Sequence, residues 1–127
     1  MSRRAVLAIF LAGLWITASE FFRNEVLLKS YWTEHYQSLG IMFPSEPKNG
    51  FVWFVWSLAL SGFIYMQSRK FATKDTVLLV WFSGFFMMWL VVGNMAVLPI
   101  KILLFAIPLS LFEVYLADKI IRKIIKK

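Results

Sequence analysis

Cysteine is absent from the 127 residues, and histidine occurs once, at His35. Without a thiol there is no disulfide and no cysteine nucleophile. One imidazole without a second soft ligand does not make a zinc, haem or copper centre. No cofactor and no metal are therefore expected. Acidic residues are scarce too, with 7 Asp and Glu against 14 Lys and Arg, for a formal charge of +7. There is no glycine-rich phosphate loop, no HExxH and no GxSxG, so no phosphate cradle, zinc-protease helix or serine nucleophile is signalled. A lipid-handling enzyme would need a nucleophile and base that the sequence does not announce. The expectation is a non-enzyme.

What the chain has in excess is apolar surface. Apolar residues make up 60%, Phe numbers 13 and Trp 6, and the mean hydropathy is +0.69. A soluble domain of this length could not hide so much. Lipid is the simplest cover.

The apolar runs have the lengths that a bilayer asks for, roughly 17 to 25 residues each. Four qualify, at 5–22, 51–67, 76–98 and 99–117. They are continuous rather than alternating, which disfavours a transmembrane barrel. "RKFATKD", "FPSEPKNG" and "GNMAVLP" separate them, with proline and glycine where helices stop or start. "MSRR", an apolar stretch and "TAS" share the outline of a signal peptide; a retained helix is the reading taken. The predicted fold is an all-α integral membrane bundle of four transmembrane helices in one domain, ending in a basic tail at 118–127.

Basic residues set the orientation. Arg3, Arg4, Arg69, Lys70, Lys74, Lys119, Arg122, Lys123, Lys126 and Lys127 fall on one side, and Arg23, Lys29, Lys48 and Lys101 on the other. The ten-to-four split predicts that both termini are cytoplasmic. The positive charge then reflects topology and contact with the lipid bilayer rather than nucleic acid. The tail "DKIIRKIIKK" is expected to lie along the headgroups.

Between the first two runs, Leu28, Trp32, Tyr36 and Leu39 recur at helical spacing and predict a short amphipathic outer-loop helix with its rings at the interface. A connector is the bland reading of it, and a lid over a site among the helices the functional one. His35 is expected to be solvated or interfacial.

Charge inside the runs raises the functional question. Glu20 lies about 22 Å along its helix from Ala5, and Gly13, Thr17, Glu20 and Asn24 share a face. A lone carboxylate at such depth is costly, so it should face the bundle and find a donor, with Arg23 one turn on. Asn94 is placed at similar depth, which makes Glu20, Arg23, Asn24 and Asn94 the candidate polar site. Glu113 is the second intramembrane acid. Counted from Pro99 it falls about 21 Å down the last helix, in the inner third, with Ser110, Trp81 or Tyr65 as donors. On that count the two acids do not meet. Ala8 with Ala12 and Ser57 with Ser61 are small-residue pairs suited to close helix approach, within the chain or in a homo-oligomer.

The order "NEVLLKSYW", "IYMQSR", "GFFMMWLVVGNMAVLP" and "IPLSLFEVYLA" resembles the small four-helix bacterial membrane proteins grouped as domains of unknown function. The resemblance implies a bacterial inner-membrane location and transfers no catalytic residue. Two functions are carried forward. One is a non-enzymatic structural or accessory membrane component, working with a partner protein or as a homo-oligomer. The other is a small oligomeric proton-coupled transporter or channel using an intramembrane glutamate.

Overall fold

The computed structural model describes residues 1–126; Lys127, counted above in the basic tail, lies outside the described residues. These residues are all-helical. Four helical rods, Arg3–Leu27, Pro47–Ser68, Thr73–Asn94 and Ile100–Lys126, are long and apolar enough to cross a membrane, and a fifth, shorter helix lies between the first two. Rod one is α1 (Arg3–Phe21) continued by a π-helical turn, Phe22–Leu27; α2 (Lys29–Ser38) follows, then α3 (Pro47–Ser68). Rod three is α4 (Thr73–Trp81), a π-helical turn Phe82–Phe86, and α5 (Met87–Asn94). A 3-10 turn, Ile100–Ile102, leads into α6 (Leu103–Lys126).

Local chemistry starts these helices. The Ser2 hydroxyl accepts the Ala5 N–H at 3.1 Å, capping α1. Pro47 opens α3, where its missing N–H would be unsatisfied anyway, and the Asn49 side chain accepts the Glu46 N–H. The turn after rod three holds Ala96, whose φ of 65° is left-handed. That costs a non-glycine residue about 1 kcal/mol. The His35 Nε2 donates to the Ala96 carbonyl at 2.7 Å, pinning this turn to α2.

Consecutive rods run antiparallel. The Ser61 hydroxyl donates to the Ile9 carbonyl across α3 and α1, Trp15 Nε1 donates to the Glu113 carbonyl across α1 and α6, and Trp81 Nε1 donates to Ser110 Oγ across α4 and α6. Both chain ends thus lie at one end of the bundle and α2 at the other. Ala8, Ala12, Ser57 and Ser61 are all buried, so the small-residue pairs serve contacts inside the chain. A Cβ on Gly13 would meet Leu58 Cδ2 at 2.7 Å, so any larger residue there makes the Leu58 side chain shift.

Two expectations change. The spans extend beyond the apolar runs at most ends, because helix geometry continues through polar residues once started. The 118–127 segment, expected as a basic tail with a helical end along the headgroups, is part of the bundle as far as Lys126. It is the last turns of α6, with Asp118 and Ile121 fully buried. Asp118 accepts from Arg122 Nε at 2.7 Å, and Arg122 also donates to the Phe71 carbonyl and Thr76 Oγ1. This clasp closes the terminal end of the bundle.

Candidate functional site

Glu20, Arg23 and Glu113 meet inside the bundle near its α2 end. Arg23 donates from one guanidinium nitrogen to Glu20 Oε2 at 2.5 Å and from the other to Glu113 Oε1 at 3.4 Å. All three are buried, with Glu113 fully so. Asn24 Nδ2 also donates to Glu20 Oε2, at 3.0 Å, and Asn24 Oδ1 accepts from Trp32 Nε1, at 3.0 Å. The network therefore joins α1, α6 and α2.

Two π-helical turns build this geometry. In the first, the Leu28 N–H reaches back five residues to the Arg23 carbonyl at 2.8 Å. The wider turn presents Arg23 and Asn24 to the bundle side by side and still buries Leu28. The second turn carries Phe85, whose ring lies 5.5 Å below the Arg23 guanidinium. Phe85 packs edge-on to Trp56 and tilted to Trp89, so the cation rests on an aromatic floor. Such π turns recur at functional positions.

The structure corrects the depth assigned to Glu113. Pro99 precedes a 3-10 turn and the α-helix begins at Leu103; the height at which this rod packs on α1, not a residue count from Pro99, sets the level of Glu113. Its carbonyl is level with Trp15, five residues below Glu20. The remaining gap closes because Cα–Cβ bonds lean toward each helix's N-terminus. In antiparallel α1 and α6, Glu20 leans down and Glu113 leans up, and Arg23 spans what is left. The donors proposed for Glu113 do other work: Trp81 donates to Ser110, and Ser110 to the Ile107 carbonyl. Asn94 is also corrected. It is exposed on the wall of a separate lateral groove with Leu90, Leu103 and Ile107, and it takes no part in the network. Asp118, buried and paired, drew no notice in sequence because it reads as part of a basic tail.

One carboxylate oxygen on each acid, Glu20 Oε1 and Glu113 Oε2, has no hydrogen-bond partner among the described residues. Two carboxylates and one guanidinium carry a formal charge of −1 in a nearly dry setting.

Two cavities adjoin the network under a roof made by α2 and the loop behind it. One is about 290 Å³ and has Thr17, Glu46 and Asn49 in its lining. The other, about 220 Å³, runs between Trp32, Tyr36 and Trp89. Glu20, Asn24, Glu25, Pro44 and Trp53 line both. The roof holds itself together by aromatic contact, with the Phe43 ring 5.7 Å from Trp32 and 5.1 Å from Tyr36. Among the described residues, no group of three or more His, Cys, Asp or Glu is placed to hold a metal ion. Comparison with known proteins brings no match, whether to a family model, a curated protein or a solved structure.

Proposed function

We propose that the chain is a multi-pass protein of the bacterial inner membrane with both termini in the cytoplasm, and that it serves as a non-enzymatic structural or accessory component. The observation that carries this reading is the pairing of Glu20, Arg23 and Glu113 with one another across α1 and α6, sealed from solvent. Apolar packing in lipid is weakly directional, because lipid tails are as apolar as side chains. A buried ionic clamp gives the first and last helices a unique height and rotation, as expected of a small bundle that must present a fixed surface to a membrane partner or to further copies of itself.

A second reading is a small oligomeric proton-coupled transporter or channel. It draws on the two carboxylates that share one guanidinium, each with a free oxygen. Four helices alone rarely enclose a pathway, so this reading requires more than one copy.

Reconstitution in liposomes with a pH-sensitive dye separates the two. If the clamp is structural, wild type and Glu20→Gln pass protons no faster than empty liposomes, while Glu20→Gln lowers the free energy of unfolding. A proton flux in wild type that is lost in a normally folded Glu20→Gln variant would replace the first reading with the second.

A further inference from the structure

We propose that the lateral groove between rod three and α6 binds one phospholipid, with an acyl chain along the groove, the ester region at Asn94 and the phosphate at Lys101. The inference goes beyond the accessory reading and uses neither the clamp nor the cavities under α2.

The groove is polar at one end only. It measures about 430 Å³, and its wall runs from Trp81 past Phe86, Leu90 and Ile107 to Asn94 and Ile100. The Trp81 N–H is already given to Ser110, which leaves Asn94 as the polar group of the wall. Leu90 and Ile100 are 65% and 63% exposed, so the groove opens sideways. Its Asn94 end is level with α2, because His35 reaches the nearby Ala96 carbonyl. From Trp81 to Asn94 rod three rises about 20 Å, against about 15 Å for the hydrocarbon of one leaflet. A chain lying along the wall therefore brings its ester carbonyl to the height of Asn94, whose amide needs an acceptor where water is scarce. At about 30 Å³ per water-sized group, the groove holds roughly fourteen such groups, the bulk of one acyl chain.

Charge decides what sits at the polar end. Among the described residues, Arg23, Lys29 and Lys48 at this end of the bundle are each held in an ion pair. Lys101 is in none and is exposed. It lies on the 3-10 turn between Ile100 and Ile102, next to the groove wall. A free ammonium at the interface attracts an anionic headgroup. A second copy of the chain offers Lys101 no such partner from its rods. There Glu20, Glu113 and Asp118 are buried, Glu25 is held by Lys29, and Asp75 starts rod three at the opposite end. A phospholipid supplies the charge, the acceptor and the chain in one molecule.

The test places the photo-crosslinking residue benzoylphenylalanine at Leu90, in the groove, or at Val55 on α3, which is exposed and does not line it. The full chain is put into nanodiscs of phosphatidylglycerol and monogalactosyl diacylglycerol in equal amounts with the same acyl chains. Mass spectrometry then identifies the adducts. At Leu90 the phospholipid adduct is expected to exceed the galactolipid adduct about fivefold, the effect of one basic residue at a membrane surface, while Val55 gives the two near parity. Lys101→Gln should bring the Leu90 ratio down to that at Val55, and Asn94→Leu should lower the total lipid adduct at Leu90 about twofold. Both side chains are exposed, so neither change threatens the fold. Lys119→Gln, at the other end of the bundle, should leave the Leu90 ratio unchanged. A Leu90 ratio equal to that at Val55 in wild type, or one that Lys101→Gln does not alter, would overturn the proposal. So would crosslinking of Leu90 to a second copy in place of lipid, which would make the groove a seam between copies.

Discussion

Replacing Arg23 by methionine removes the cation that lies between two buried carboxylates and keeps most of the side-chain volume. Its guanidinium lies 2.5 Å from Glu20 and 3.4 Å from Glu113. With an effective dielectric of about 20, these separations correspond to attractions of roughly 7 and 5 kcal/mol. Desolvation of three charged groups offsets most of that, so the sum is not the loss observed. Deleting one partner of a buried ionic group typically costs about 3–5 kcal/mol, because the other charges stay buried without compensation. Two carboxylates are stranded here, and the contact with Phe85 adds about 1 kcal/mol, which puts Arg23→Met at the upper end, about 4–5 kcal/mol. The triple variant Glu20→Gln, Arg23→Met, Glu113→Gln removes every charge and should recover to within about 1–2 kcal/mol of wild type. Equilibrium unfolding in mixed detergent micelles, titrated with a denaturing detergent, measures both. A loss below 1 kcal/mol for Arg23→Met, or a triple variant no better than the single, would mean that the charges do not act as one buried unit.

Three further outcomes follow from particular contacts. Gly13→Val should cost about 1–3 kcal/mol through overpacking against Leu58, measured by the same unfolding titration, whereas Asn94→Leu should stay within about 0.5 kcal/mol because that side chain is exposed. Arg122→Met should cost about 3 kcal/mol by stranding fully buried Asp118, with amide exchange rising first around Phe71, whose carbonyl loses the shorter of its two side-chain donors and keeps only the Thr76 hydroxyl. Cysteines placed at Ser2 and after Lys126 in intact cells should resist a membrane-impermeant maleimide, and external labelling of either would refute the cytoplasmic placement of the termini.

The helices themselves were readable from composition, because a run of apolar residues long enough to cross hydrocarbon has few alternatives to a helix. Glu20 and Arg23 were readable as a pair for the same local reason: three residues along a helix is one turn, and a buried carboxylate needs a near donor. The amphipathic spacing of Leu28, Trp32 and Tyr36 announced α2, though not that Leu28 would be fully buried or that Trp32 would close the network through Asn24. Tertiary structure decided what local spacing cannot express. The height of Glu113 depends on the level at which α6 packs on antiparallel α1 and on two side chains leaning toward each other. Asn94 matched Glu20 in depth, but depth says nothing of azimuth, and rod three turns it outward. Asp118 looked like tail because its neighbours in sequence are basic, while its neighbours in space are Arg122 and the packed end of the bundle. Sequence periodicity fixes which residues share a face; only packing determines which faces meet, and at what height.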